Sequence, residues 1–251
     1  MNAHIVRSVL CVAALGWTAS CAAEDDPLEG EADDLEEDAP VEVDEGALTV
    51  PEVTEAERFP APQLESNLRA ACPIRSDYVS TVSLGEGGWG SWPECFDWCP
   101  EVQSKSYAYS LWLRSEPSQG SNDDTGLNAV ALDCYNKSDW AYRGYIDSYV
   151  QFFGNWTDPG VCATHPITGG ELKIESSQGG GDDTAANDLD AQCANGQWLN
   201  PTTYTSWGTW RGFAGCPPGT AVCGMKTKVE AKVGSQDDTA LNGVQFACCA
   251  F

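Results

Sequence analysis

"GDDTAAN", Gly181–Asn187, sets two carboxylates, a hydroxyl and an amide within seven residues. Taken alone it fits a reaction centre, a cation site or a turn. The same word stands at Asn122–Asn128 as "NDDTGLN" and at Gln236–Asn242 as "QDDTALN". Its first aspartates are Asp123, Asp182 and Asp237, so the chain repeats with periods of 59 and 55 residues. A unit of that length cannot bury its apolar face alone and must pack against its copies.

The neighbours of the three words agree. Before each comes an alternating segment: "LWLR" (Leu111–Arg114), "LKIE" (Leu172–Glu175) and "TKVE" (Thr227–Glu230). Further upstream are Trp92, Trp156 and Trp210, in "GGWGSW", "GNW" and "SWGTW", each followed six or seven residues later by a cysteine: Cys99, Cys162 and Cys216. Two, four and six residues after each motif asparagine stand Val130/Leu189/Val244, Leu132/Ala191/Phe246 and Cys134/Cys193/Cys248. Period two with one apolar face predicts a half-buried strand that ends in cysteine. Ala131, Asp190 and Gln245, between the apolar positions, are expected to be far more exposed. No part of 72–251 keeps a 3.6-residue period with caps, so the domain is expected to be all-β.

The triplicated (G/N/Q)-D-D-T-(A/G)-(L/A)-N words, the W-G-x-W elements and the terminal "CC" (Cys248–Cys249) together resemble the vitelline membrane outer layer protein family. The resemblance covers about Cys72 to Phe251 and implies a β-prism: three antiparallel sheets around a pseudo-threefold axis, one sheet per repeat. The repeats would be about 72–135, 136–194 and 195–251. The resemblance also brings an association with chito-oligosaccharide transfer.

The rest of the chain reads as an address and a tether. Residues 1–20 resemble a lipoprotein signal: the apolar run Val9–Trp17 is too short for a stable span, and "TASC" (Thr18–Cys21) resembles the lipobox of bacterial lipoproteins. Thr18 stands where leucine is usual. An ordinary secretory signal cut nearby is the alternative, and both readings export the chain. Residues 21–71 hold 17 Asp+Glu against 2 Lys+Arg. With few aromatics to bury, that segment is expected to be a disordered, self-repelling tether to the membrane behind a lipidated Cys21. Residues 72–251 are expected to be one monomeric globular unit. A formal charge of −25 argues against nucleic acid as a partner, because phosphate needs a basic footprint.

Each motif has two readings. Asp123, Asp124, Asn128, Asp182, Asp183, Asn187, Asp237, Asp238 and Asn242 could hold calcium, or could form Asx-type turns that launch the next strand. Threefold repetition favours the turn, because a catalytic centre needs groups in different roles. Trp89, Trp92, Trp156, Trp207 and Trp210 are candidates for stacking on sugar rings, or core caps of the sheets. His165 is the only histidine beyond the signal and no tight C-x-x-C pair occurs at Cys216–Cys223, so neither a metal nor a cofactor is expected.

Ten cysteines follow Cys21, an even number that implies a disulfide framework in an exported chain. Equivalent positions predict Cys99–Cys134 and Cys162–Cys193. In the third copy either Cys216–Cys248 with Cys223–Cys249 holds, or Cys216 closes on Cys223 or Cys249; analogy favours the first. Cys72–Cys95 is then left.

The function expected is an exported, surface-tethered, non-enzymatic module that binds extracellular glycans or forms part of a coat. The alternative is a carbohydrate-active enzyme acting on N-acetylglucosamine oligomers, which would need an unrepeated carboxylate pair in a groove; Glu94, Asp97 and Glu116 are the candidates. The tether reading makes a direct prediction. Cys21→Ser should move the protein from the membrane fraction to the soluble fraction, and persistent membrane association would refute lipidation.

Overall fold

The structure, a computed structural model, describes residues 72–101, 105–120, 123–148, 153–179, 182–232 and 238–251. The signal, Cys21, the tether and Asp237 lie outside them. In chain order the first strands are β1 (Tyr78–Glu86), β2 (Asp97–Trp98), β3 (Ser106–Ser115), β4 (Leu127–Asn136) and β5 (Tyr142–Asp147). Next come β6 (Asn155–Trp156), β7 (Gly160–Val161), β8 (Ile167–Ile174), β9 (Ala186–Cys193) and β10 (Trp198–Leu199). The last are β11 (Thr209–Trp210), β12 (Ala214–Gly215), β13 (Thr220–Val229) and β14 (Leu241–Ala250).

These strands form three antiparallel sheets. Sheet I has the order β1-β14-β13-β2; sheet II is β5-β4-β3-β6, with β7 also on β3; sheet III is β10-β9-β8-β11, with β12 also on β8. Each is built on one hairpin that brackets a DDT word. The registers are equivalent: Leu132 faces Leu111, Leu189 faces Leu172 and Phe246 faces Met225. These pairs, with Val130, Leu113, Ile174, Val244 and Leu84, are fully buried and make one apolar core shared by the three sheets.

Two expectations need correction. The sheets do not coincide with the sequence repeats. The outer strand and tryptophan element of each copy pair with the hairpin of the preceding copy: β5 and β6 join β4 and β3, and β10 and β11 join β9 and β8. The first copy has no preceding hairpin, so β1 and β2 complete the sheet of the last one. The alternating residues of the central strands are also less open than a half-buried strand predicts. Ala131 is 0% and Asp190 8% exposed, while Gln245 is intermediate. Ala131 lies between Trp112 and Asp147 in register, so its larger cross-strand neighbours cover it. Asp190 is held by Asn200 Nδ2 at 2.5 Å.

The offset explains the disulfides. Cys99–Cys134 joins sheet I to sheet II, Cys162–Cys193 joins II to III, and Cys216–Cys248 joins III back to I, with Cα separations of 5.6, 5.8 and 5.6 Å. They form a ring of staples at the end of the prism opposite the DDT turns. Cys223–Cys249 links the two strands of one hairpin, and Cys72–Cys95 ties the start of the domain to the loop before β2.

At the other end, Gly90, Gly154 and Gly208 of the tryptophan elements all have positive φ (71°, 74° and 85°). A Cβ on them would run into the backbone of Val229, Ser115 and Ile174 respectively. Gly212 has a similar φ of 86° with open space around it. Gly212→Ala should therefore cost only the backbone strain, about 1 kcal/mol. Gly154→Ala should cost clearly more, because β6 must also move off β3. Chemical denaturation of both variants checks the order.

Candidate functional site

The DDT words form a polar network that repeats from copy to copy. In each copy the threonine hydroxyl donates to a glutamate nine residues earlier: Thr125 to Glu116 (2.7 Å), Thr184 to Glu175 (2.7 Å) and Thr239 to Glu230 (2.6 Å). The motif asparagine donates to that same hydroxyl oxygen, at 2.6 Å in all three copies. Its amide also reaches the carbonyl of Gly126, Ala185 or Ala240, the residue that follows the threonine in left-handed conformation. A left-handed alanine is strained, and the asparagine bond holds it there. The second aspartate accepts from the loop before it: Asp124 from Gln119 N–H and Ser118 Oγ, Asp183 from Gln178 N–H and Ser177 Oγ.

The first aspartate reaches across to another copy. Asp124 N–H donates to Asp182 Oδ2 at 2.9 Å, and Asp238 N–H to Asp123 Oδ1 at 3.1 Å. These carboxylates therefore tie hairpin turns together around the axis. Among the described residues, no group of three His, Cys, Asp or Glu side chains is placed to hold a metal ion. The glutamates were legible as a regular spacing, nine residues before each threonine.

The five candidate tryptophans separate into groups. Trp92, Trp156 and Trp210 each stand beside a basic residue of the neighbouring strand. Trp156 is in register with Arg114 and Trp210 with Lys173, whose Nζ lies 5.7 Å from the ring. Lys226 lies 5.7 Å from the Trp92 ring, and the Trp92 indole donates to Glu86, which also pairs with Lys228. Trp207 and Trp210 face solvent; Trp89 is half-buried, with its backbone N–H on Asn242 Oδ1. His165 is exposed beside Thr164.

Symmetry breaks where one sheet meets the next. Between sheets I and II is a cleft of about 410 Å³, walled by Trp92, lined by Ser91, Lys226, Asp97 and Asp147, and floored by the buried Met225. Between II and III the equivalent cleft, about 490 Å³, holds Trp156, Asn200 and Tyr204. Between III and I, the stem of Arg211 lies against Gly85 and occupies the corresponding place.

The first cleft brings together two carboxylates from different sheets. The Asp147 backbone N–H donates to the Asp97 carboxylate. Burial pushes Asp147 up to about 6, and the Asp97 charge adds to the shift. Asp97 is also raised by desolvation, opposed by backbone N–H groups of Asp147 and Trp98; it keeps solvent contact, so Asp147 is the more perturbed partner. Of the sequence candidates for a groove carboxylate, only Asp97 is placed in this cleft. Glu116 is held in the turn network and Glu94 is exposed. Asp147 had no sequence signal, because its role depends on sheet II meeting sheet I.

A raised folded-state pKa means that the folded protein holds the proton more tightly than the unfolded chain. The contribution to stability is present below the ordinary aspartate range and is lost as pH rises through about 6. Asp147→Asn should therefore raise the melting temperature at pH 8 and leave it nearly unchanged at pH 4. Melting curves across that range test it.

A model of the family described as Vitelline membrane outer layer protein I matches residues 78–251. The chain is 33% identical over 181 residues to "Vitelline membrane outer layer protein 1 homolog" of Homo sapiens, across 70% of this chain and 85% of the human protein. The Mus musculus protein of the same name is 33% identical over 184 residues, with coverages of 70% and 87%. Among solved structures, Calystegia sepium agglutinin superposes with a TM-score of 0.46 at 8% identity, covering 71% of this chain and 100% of that one.

Proposed function

The chain belongs to the vitelline membrane outer layer protein I family, and from that premise we propose that it is an exported, non-enzymatic carbohydrate-binding module, tethered to a cell surface through Cys21. The observation that carries this reading is the cleft between sheets I and II. An indole face and a few convergent polar groups in a concave site suit a sugar, which offers an apolar ring face and a rim of hydroxyls. The carboxylates of Asp97 and Asp147 would accept those hydroxyls. The acidic chain disfavours anionic glycans, so the expected ligands are neutral or basic. Five disulfides and relatives named for the outer layer of the vitelline membrane support an extracellular setting. A structural role in a coat follows from the same binding if the glycan is part of a matrix.

One observation favours a second reading, a carbohydrate-active enzyme acting on N-acetylglucosamine oligomers. Asp97 and Asp147 are an unrepeated carboxylate pair with a raised pKa in a cleft, the arrangement that general acid chemistry on a glycosidic bond requires.

Both readings are open to one set of experiments. On a glycan array the protein should retain neutral oligosaccharides, and Trp92→Ala should weaken that retention with the fold intact by circular dichroism. An array on which nothing binds above background would refute the binding reading. Turnover of N-acetylglucosamine oligomers that is lost in Asp147→Asn, with binding kept, would replace it with the enzymatic one.

A further inference from the structure

The cleft between sheets II and III is not used by the reading above, and its chemistry differs from that of the first. Its two aromatic walls come from different sheets. Trp156, on sheet II, is held by the pairing of β6 with β3, and Arg114 Nε donates to Gly154 O at 3.1 Å beside it. Tyr204, beyond the end of β10, is 54% exposed. So open an aromatic ring is usually loosely held, but this loop is anchored on both sides. The Tyr204 backbone N–H donates to the buried Ser115 Oγ at 3.2 Å, Asn200 donates to Asp190, and Pro201 is buried. The ring is presented to solvent by a loop already fixed across the sheet boundary.

Thr157 also lines this cleft and is 8% exposed; among the described residues its Oγ1 has no hydrogen-bond partner. A buried hydroxyl left unpaired is costly, and a ligand hydroxyl within reach would relieve it. The equivalent residue after the second tryptophan is Pro93 in the first cleft and Arg211 at the closed boundary. An uncharged hydroxyl at this position is therefore particular to this cleft. Among the described residues its one charged side chain is Asp158, whereas the first cleft carries Lys226, Asp97 and Asp147.

We infer that the II/III cleft is a second carbohydrate subsite, selective for uncharged pyranose rings, and that the module is bivalent. This rests on the reading that the protein binds glycans. Two aromatic faces meet the apolar faces of a ring, while Asn200, Thr202 and Thr157 offer neutral hydrogen-bonding groups to its hydroxyls. Asp158 and the acidic chain repel sulfated or sialylated sugars. The two clefts lie at different sheet boundaries, one step apart around the pseudo-threefold axis. Occupation of the two clefts by separate glycan chains would link those chains and give avidity on a matrix.

The test is calorimetric titration of the full chain with tetramers of glucose, mannose, galactose and N-acetylglucosamine. At least one should bind at two sites per chain. Tyr204→Ala should weaken one site about tenfold while leaving the other unchanged. Thr157→Val, which removes the hydroxyl and keeps the shape, should weaken the same site. Trp92→Ala should weaken only the other. One site per chain that neither Tyr204→Ala nor Thr157→Val alters would overturn the second subsite and leave the proposed function standing. A site lost in Tyr204→Ala but kept in Trp92→Ala, with no other, would uphold this subsite and overturn the assignment to the first cleft. No binding to any of the four tetramers would overturn both.

Discussion

The pairing of β1 with β14 is the contact on which the rest of the domain depends. Each hairpin has two open edges, and each is covered by strands that come later in the chain, except the last. Without β1 and β2, the β13–β14 hairpin would present unpaired backbone on both sides, an arrangement prone to association. The first strand of the domain must therefore return to the last. At that seam Arg75 and Asp77, each 3% exposed at the side chain, pair at 3.0 Å. Arg75 also donates to Ser106 O, Ala250 N–H donates to Asp77 O, and the Tyr107 hydroxyl donates to Ala250 O. Burial alone would raise the Asp77 pKa, but Arg75 and Lys105 outweigh it and hold the carboxyl below the ordinary range. The Arg75–Asp77 pair lies within one segment and is a weak source of net stability. The bonds of Arg75 to Ser106 O and of Ala250 N–H to Asp77 O are what join that segment to β3 and β14.

The same offset turns local disulfides into long-range ones. A cysteine after a tryptophan element belongs to one sheet and its partner to the next, so three similar bonds close a ring. Each loop of that size should stabilise by about 3–4 kcal/mol in the chain-entropy picture. At the opposite end the DDT words tie the first copy to both others, through backbone N–H groups that donate to the carboxylates of Asp182 and Asp123. The prism is thus tied at both ends, and the apolar core between has little freedom to shift.

Threefold order marks what is structural, and its interruption marks where recognition is open. Glu116, Glu175 and Glu230 have identical partners, and so do Asn128, Asn187 and Asn242 toward threonine. Groups with the same job three times are committed to the fold. The sheet boundaries are different: one holds a carboxylate pair, one an unpaired threonine, and one the stem of Arg211. The residue after Trp92, Trp156 or Trp210, which is Pro93, Thr157 or Arg211, accounts for part of that difference.

The sequence by itself determined the all-β class, the three copies and, by equivalence, the pairs Cys99–Cys134 and Cys162–Cys193, because these follow from period-two patterning and from words repeated in register. It left open the pairing of the third copy's cysteines, which the structure gives. It also determined that the DDT groups share one environment, since repetition carries that without coordinates. Only the tertiary structure decided which strands share a sheet. Alternation says that a segment is a strand and is silent on its neighbour, so one sheet per repeat was the natural expectation and the offset was not. The burial of Ala131 and Asp190 was hidden for the same reason, because cover comes from cross-strand partners. Asp147 and Tyr204 carry no motif at all. They come to line clefts only when sheet II meets sheet I and sheet III meets sheet II, at a distance no local pattern reaches.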